Sequence, residues 1–304
     1  MSAGDARGRW SSMHAAVYPR AMNTPQAMAS SRDSGWTARL ELGFERRAAR
    51  TELVHRRHIG PLVVQKALHP EGDSPCHAIV LHPPSGLVGG DSLALEVTVA
   101  AGAAALLTTP GASKWYRSLG ATADSTTDLR VAPGAALEYL PREAIVYDGA
   151  EARADLRIEL SGDARLMAWD VWCLGRTHAG ERFDTGRLET RVLLRIEGRE
   201  VLYERAVIDG GSELLRRSAA LAGAPVYGTM LCVGPPPDAA ELALCRALPV
   251  REGRGALTVL PRVLCARYLG HSSEAAHEWF TALWSRLRPM MLGRVAVPPR
   301  IWAV

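Results

Sequence analysis

Three short stretches of the chain share one pattern: Val97-Thr-Val-Ala-Ala-Gly-Ala103, Leu129-Arg-Val-Ala-Pro-Gly-Ala135 and Ile158-Glu-Leu-Ser-Gly-Asp-Ala164. Each contains the end of an alternating strand, a tight turn and the start of a second apolar strand. The equivalent alanines are 32 and 29 positions apart, the spacing expected when similar coils stack around one elongated core. The pattern predicts a stacked, β-helix-like (solenoid-like) body. The alternative is an antiparallel sheet that reuses glycine turns.

Period-two alternation extends outward from these stretches in both directions. Apolar residues alternate with polar or small residues over 93–99, 156–160 and 188–196, as in half-buried strands. Turns that contain Gly or Pro separate the successive runs. We therefore expect the chain to be mainly β.

Two segments of the C-terminal third predict α-helices. The first is expected near 238–248, because Asp238 and Glu241 have capping-box spacing after three prolines. The second is expected near 273–288, where Pro289 should stop it. Its helically spaced apolar residues are Ala276, Trp279, Phe280, Leu283 and Leu287. We expect this stripe to cover the β body rather than to await a partner.

Composition excludes several classes of protein. The 304 residues include 36 basic and 32 acidic side chains, a net charge of +4, which does not favour nucleic-acid binding. With 47% hydrophobic and 22% charged residues, the chain is neither wholly disordered nor collagen-like. It has no apolar run long enough to span a bilayer, so no membrane partner is expected.

The domain organisation is expected to be simple. Residues 1–34, rich in Ser, Ala and Met, are interpreted as a disordered extension, with a faintly transit-like alternative. Residues 35–304 are expected to form a single β domain. The five cysteines have no CxxC spacing and an odd count, which favours a reducing, cytoplasmic location.

Common enzyme and metal-site signatures are absent from the sequence. It contains no GxGxxG, GxxxxGK[ST], GxSxG, HExxH or SxxK. Cys76, His77 and His82 are neighbours, as are His55 and His58, but neither group has the spacing of a structural metal site. Weak, transient metal binding by these side chains remains an alternative.

Four polar, glycine-containing stretches lie between the predicted strands: His82–Asp91, Thr108–Ser118, Leu137–Ala150 and Leu174–Gly186. Each fits a structural turn or a solvated loop of ion pairs, and each also fits a recognition loop. In the third, Glu138 alternates with apolar neighbours. Its side chain is therefore expected to line a polar interior or the surface.

Taken together and in order, these motifs resemble the family of urease accessory protein UreD, also called UreH. The resemblance covers about 270 residues from Gly35-Trp36 onward. It rests on Gly60–Gln65, His69–Gly72, PPSGLVGGD, TTPGASKWYRS, LEYLPREAIVYDGA, LGRTHAGERFDTG and Ala222–Gly228. The departures are small: Ser85 stands where Gly is frequent, Arg142 where Gln is common and Asp170 where Glu is common.

The resemblance implies a noncatalytic scaffold. Such a protein binds apo-urease and recruits the accessory protein UreF, which brings the nickel-loaded GTPase UreG. The resemblance also implies a β-helix-like fold with two helices. No tightly bound cofactor is expected, and Ni²⁺ would be a transient ligand.

Nickel that moves between proteins needs ligands weak enough to release it, so carboxylates and occasional His suit a conduit better than thiolate clusters. We therefore hypothesise a polar channel through or beside the β body. Its candidate lining residues are Asp91, Glu138, Glu143, Asp148, His178, Glu181 and Asp184. A companion hypothesis assigns the helices, the C-terminal tail and one loop to partner contact. The loop residues are Lys114, Trp115, Tyr116 and Arg117.

Two other functions remain as alternatives. A β-solenoid carbohydrate-active enzyme would need paired carboxylates in an open groove beside aromatic rings, and aromatic residues make up only 6% of this chain. A nickel-storage protein would need a tight site, which the ligand spacing disfavours.

Overall fold

The computed structural model describes residues 35–303. The predicted extension 1–34 lies outside the described residues, so its disorder stays a prediction. The strands are β1 (Thr37–Arg47), β2 (Arg50–Ile59), β3 (Val63–Leu68), β4 (Cys76–Leu81), β5 (Gly86–Leu87), β6 (Ser92–Val99), β7 (Ala104–Thr108), β8 (Ser113–Trp115), β9 (Ala123–Val131), β10 (Ala136–Leu140), β11 (Ala144–Val146), β12 (Glu151–Leu160), β13 (Arg165–Leu174), β14 (Arg187–Ile196), β15 (Arg199–Asp209), β16 (Val226–Val233), β17 (Arg254–Leu260) and β18 (Val263–Gly270). The helices are α1 (Ala239–Arg246) and α2 (Ser273–Leu292).

The strands form two large facing sheets. Sheet A has the order β15-β14-β12-β9-β6-β1-β2, and β14, β12, β9, β6 and β1 are parallel. Sheet B has the order β17-β18-β16-β13-β10-β7-β4-β3, with β4, β7, β10 and β13 parallel. The short strands β5, β8 and β11 extend sheet B beside β13. Successive coils therefore alternate between the sheets, and the predicted β-solenoid is confirmed, with about four turns.

The three decisive stretches stack at one edge of the solenoid, which we call the turn edge. The amide of Ala132 donates to the Val99 carbonyl at 2.9 Å, and that of Ala136 donates to Ala103 at 3.0 Å. The amide of Arg165 continues the ladder to Ala135 at 2.9 Å. Equivalent positions thus hydrogen-bond from coil to coil, as the repeat spacing predicts.

Alternation along the strands explains the main core. Leu40, Val97 and Ile158, three of the inward residues of sheet A, are each at most 2% exposed. They pack against inward residues of sheet B, such as Leu137 and Leu166. The outward residues of sheet A carry most of its charged side chains, so sheet A faces solvent on one side only.

A second core lies between the outer face of sheet B and α2. The predicted stripe on α2 is buried from Ala276 to Leu287 and packs on sheet B, for example through the rings of Phe280 and Trp169, whose centroids are 6.1 Å apart. The prediction that the stripe covers the β body is confirmed.

The expected stop at Pro289 is wrong. The helix continues through Pro289 to Leu292 and ends at Gly293, which has a φ of +68°. Proline removes one helical hydrogen bond. Burial of Met291 and Leu292 in the second core accounts for the extra turn.

The first helix is shorter than its predicted range of 238–248. The side chain of Asp238 accepts the amide of Glu241 at 2.8 Å and caps α1, as the spacing predicts. The helix ends at Arg246, three residues before Pro249. Within residues 35–303, no helix is long and apolar enough to cross a membrane.

Candidate functional site

The edge opposite the turn edge carries the polar motifs, and we call it the loop edge. Its loops are 88–91, 116–122, 147–150 and 175–186. Backbone hydrogen bonds tie each loop to the next: Gly90 to Thr122, Ser118 to Gly149 and Gly149 to Thr185, all at 2.9–3.0 Å. The structure therefore places motifs that are far apart in sequence along one continuous edge.

Asp91 organises the first loop. Its carboxylate accepts the amides of Trp36 at 2.8 Å and Val88 at 2.9 Å, and the residue is 7% exposed. His82 lies close enough for the Asp91 charge to raise its pKa, yet burial dominates and the His82 pKa is lowered. Asp91 therefore stabilises a turn at the loop edge, and its charge opposes the lowering of the His82 pKa.

Asp148 joins three loops. It accepts the amides of Asp184 at 3.0 Å and Thr185 at 2.7 Å, and Arg117 donates to it at 2.7 Å. Burial pushes the Asp148 pKa up, but the bonds from Thr185 and Asp184 and the Arg117 charge together lower it. This carboxylate is a charged crosslink between loops.

Three other channel candidates lie in the loop 175–186. Glu181 receives Arg176 Nε at 2.8 Å, and this bond lowers the Glu181 pKa. His178 and Asp184 are exposed. An open pocket of about 450 Å³ adjoins this loop, lined in part by Glu181, Asp184 and His271.

Glu138 lies elsewhere, beneath α2. Its carboxylate accepts Arg288 Nε at 2.8 Å and Trp284 Nε1 at 2.7 Å, and the residue is 2% exposed. Arg288 also donates to Glu71 at 2.7 Å, and Glu71 lies 2.8 Å from His77 Nε2. Of the two alternatives for Glu138, the surface is excluded, because α2 covers this face of sheet B and supplies the matching cation. The side chain lies instead in a buried polar cluster.

The charges in this cluster stabilise one another. Burial disfavours the Arg288 cation, but hydrogen bonds to Glu138 and Glu71 outweigh it and raise its pKa. Burial raises the Glu71 pKa, because it disfavours the carboxylate. The hydrogen bonds from His77 and Arg288 lower this pKa by more, so the net shift is downward. Arg288 also donates to the Val295 carbonyl. We call Glu71, His77, Glu138, Trp284 and Arg288 the clamp.

Glu143 forms a second link to α2. Its carboxylate lies 2.9 Å from His277 Nε2 and 3.7 Å from Arg142 Nε. Burial opposes ionisation, but the His277 bond prevails and the Glu143 pKa is lowered. The structure thus places Glu138 and Glu143 between sheet B and α2, and it places the other five channel candidates at the loop edge.

The four predicted partner-contact residues have different surroundings. Arg117 is exposed and Lys114 is half-buried, so both reach the surface of the loop edge. Tyr116 packs edge-on against Tyr147 with ring centroids 5.0 Å apart. Trp115 is 3% exposed and packs on Trp172, so its indole is a core side chain and cannot serve as a surface contact.

The interior between the sheets contains open space. One cavity of about 260 Å³ extends from His82 to Tyr139, and a second of about 130 Å³ extends from Tyr139 to Asp170 and Thr190. The two share a wall, whose residues are Ser113, Trp115, Ser125, Thr127, Tyr139, Pro141 and Arg142. This interior space runs across several coils and is partly polar.

Two carboxylates, Asp155 and Asp170, line the second cavity. Asp170 lies on β13. It accepts Trp172 Nε1 and the Thr229 amide, both at 3.2 Å. Burial raises its pKa to about 6, and these two hydrogen bonds offset only part of the effect. Asp170 can therefore exchange a proton or meet a cation near neutral pH.

Three further polar atoms of this region have no hydrogen-bond partner among residues 35–303. They are Trp115 Nε1, Asp155 Oδ1 and Tyr227 Oη, and all three are buried. A buried polar atom without a partner is destabilising, and such atoms mark places where water or a ligand binds. The interior space is therefore suited to binding water or a hydrated ligand.

The sequence analysis missed Asp170 as a site residue. The available signal was a single carboxylate inside the otherwise apolar strand Arg165–Leu174. No group of three His, Cys, Asp or Glu side chains that could hold a metal ion occurs in the described part of the chain. All five cysteines are buried and unpaired. Nothing in these residues supports the tight site that a nickel-storage protein needs.

The fold and the site together define a β-solenoid protein with a helix-covered outer face and a partly polar interior. A sequence model of the family described as "UreD urease accessory protein" matches residues 37–303. This chain belongs to that family.

Curated relatives agree over most of the chain. It is 50% identical to urease accessory protein UreD of Azoarcus sp. (strain BH72) over 268 residues, covering 88% of this chain and 94% of the relative. It is 51% identical to the UreD of Dechloromonas aromatica (strain RCB), with the same coverage. The UreD of Pseudomonas aeruginosa (strain PAO1) is 48% identical, covering 88% of this chain and 95% of the relative.

These relatives are named as accessory proteins and not as enzymes. The prediction that this chain is a noncatalytic member of the family is confirmed, and a role in urease maturation follows. The carbohydrate-active alternative has no support among them.

Proposed function

We propose that this protein acts in urease maturation as a scaffold. It binds apo-urease and recruits UreF, which brings the nickel-loaded GTPase UreG, so that Ni²⁺ enters the urease active site. Family membership over residues 37–303 supports the general role. The proposal sets this assembly in the cytoplasm, where the five unpaired cysteines would remain reduced.

The loop edge is the proposed contact surface for at least one partner. Tyr116 and Arg117 lie on a loop that hydrogen bonds hold in one row with its neighbours, and Lys114 lies on the adjoining strand β8. A row of preordered loops loses little entropy on binding. The exposed side chains of Trp36, Val88 and Leu119 add apolar area in neighbouring loops.

The interior space is the proposed path for nickel. Asp170 and the hydroxyls of Ser125, Thr127 and Tyr139 line it. These oxygen ligands are dispersed, so they would hold Ni²⁺ weakly and release it. The single observation that carries this proposal is the shared wall of the two cavities between the sheets. Asp91, Asp148, His178, Glu181 and Asp184 then belong to the loop edge, outside the lining of the two cavities.

The general role is tested by co-expression. Urease structural subunits and the remaining accessory proteins are produced with and without this chain, and the nickel content and ureolytic activity of urease are measured. Loss of both without the chain is expected. Full activity without it would contradict the proposed function.

The nickel path is tested with Asp170→Asn, which preserves shape and removes the charge. We expect urease activation to fall several-fold while complexes with apo-urease still assemble. Asp128→Asn is the matched control, because Asp128 lies on the outward face of sheet A, paired with Arg157 at 3.8 Å. Activation by Asp170→Asn equal to that of the control would overturn the interior path.

Replacing Glu138 and Glu143 with Ala does not test the path. Both carboxylates anchor α2, so this double variant would lose activity through loss of folded protein. Activation by these variants must be expressed per amount of folded chain.

A further inference from the structure

One short segment of this protein has a large net positive charge. Residues 45–68 contain six basic side chains and two acidic ones, a net charge of +4 that equals that of the whole chain. The other described residues carry 26 basic and 28 acidic side chains. The segment comprises the end of β1, then β2 and β3, and we call it the basic end.

All six basic residues of the basic end are exposed. They are Arg46, Arg47, Arg50, Arg56, Arg57 and Lys66. Within the described chain only Arg47 has carboxylate neighbours, Glu45 at 3.8 Å and Glu52 at 3.9 Å. Elsewhere in the described part of sheet A most arginines are paired, as Arg191 and Arg205 are with Glu189. The unpaired ones there are fewer than in the basic end, namely Arg130, Arg195 and Arg199. The contrast leaves an unneutralised positive patch.

The same segment closes one end of the solenoid. β2 is the terminal strand of sheet A and β3 the terminal strand of sheet B. Ile59 is 54% exposed and Leu68 39% exposed, so apolar side chains lie at the ends of both strands. The surface therefore combines cations, apolar groups and terminal strands.

We propose that the basic end is a docking surface for an acidic face of a protein partner in the urease maturation complex. This inference rests on the proposed scaffold function. Exposed apolar side chains and the interspersed Glu45 and Glu52 favour a protein surface over a phosphate backbone or an anionic membrane. Like charge also opposes pairing of the basic ends of two copies.

The test reverses three cations in Arg46→Glu, Arg57→Glu and Lys66→Glu together. The matched control is Arg130→Glu, Arg195→Glu and Arg199→Glu, which reverses three exposed arginines outside the basic end that have no ion pair in the described chain. Both triple variants change net charge equally. Circular dichroism and thermal unfolding check that each one folds.

Binding to purified apo-urease and to a purified UreF–UreG complex is measured separately at low and high salt. For one of these partners we expect the basic-end variant to lose affinity about tenfold at roughly 0.05 M salt and about threefold or less at roughly 0.5 M salt. The control variant should bind like the wild type.

Unchanged binding to both partners, or an equal loss in the control, would overturn the inference. Binding of wild type to duplex DNA or anionic vesicles that the basic-end variant alone abolishes, with protein binding intact, would also overturn it. Failure of the scaffold function would show separately, as full urease activation without the chain.

Discussion

Two groups of buried polar side chains lie on opposite faces of sheet B, and they differ in how well their polar atoms are paired. On the outer face, Arg288 of the clamp donates to two carboxylates and a carbonyl. On the inner face, Asp170 accepts two long bonds, and Tyr227 Oη and Trp115 Nε1 have no partner in the described chain.

This difference in pairing indicates a structural role for the clamp and a candidate functional role for the group around Asp170. A fully paired buried cluster fixes the position of an element, here α2, and its members are intolerant of change. A partly paired buried group beside open space reduces the stability of the fold. Such a group is typical of a site that binds water or a ligand. Burial and charge are common to both groups, and only pairing and space distinguish them.

The largest expected effect is in the clamp. Arg288→Met should lower the free energy of unfolding by about 3–5 kcal/mol, because it leaves Glu138 and Glu71 buried without a cation. Urea denaturation measures the change, with the exposed Arg195→Met as control. A loss below about 1 kcal/mol would mean that the clamp does not hold α2.

Asp170 should produce an effect that depends on pH. Its pKa rises from 3.8 to about 6 on folding, so the protonated group contributes stability at low pH that is lost as pH rises through about 6. Relative to Asp170→Asn, the wild type should therefore lose about 2–3 kcal/mol of unfolding free energy between pH 4 and 7. Parallel denaturation series for the two proteins measure this difference. A constant difference across this range would contradict the buried, poorly paired state of Asp170.

A smaller effect is expected for Glu138→Gln. The amide oxygen still accepts from Trp284, but the charge-assisted bonds to Arg288 weaken, which should cost about 2 kcal/mol. Urease activation per amount of folded chain should stay at the wild-type level. A selective loss of activation at unchanged stability would instead give Glu138 a role in the nickel path.

The smallest effect is expected for Tyr227→Phe. Its hydroxyl has no partner among residues 35–303, so its removal should change the unfolding free energy by less than about 1 kcal/mol in either direction. Thermal unfolding at neutral pH measures the change. A larger destabilisation would show that the hydroxyl is bonded in solution, and the contrast between the two faces would narrow.

Local pattern predicted the solenoid because its repeat is local: strand, turn and strand recur about every 30 residues. Alternation also predicted that Glu138 points away from Leu137. It could not predict the destination, because Arg288 lies 150 residues further along the chain. A long-range ion pair leaves no periodic signal in a single sequence.

The interior space was equally hidden from the sequence. Its polar residues come from different strands, and Ser125 and Thr127 resemble the exposed half of an alternating strand. Their position became apparent only from the register, which aligns them with Leu93 and Leu95 on the inward face. Asp170 alone carried a local warning, as a charge within an apolar strand.

The clamp also sets an order for events on the ribosome. Glu71 and Arg288 are 217 residues apart, so the outer face of sheet B stays uncovered until nearly the whole chain has been synthesised. During that interval the apolar surface that α2 later covers is open to aggregation or to a chaperone. A chain that ends before α2 would therefore contain all eighteen described strands but leave the outer face of sheet B uncovered, and we expect it to aggregate rather than to function.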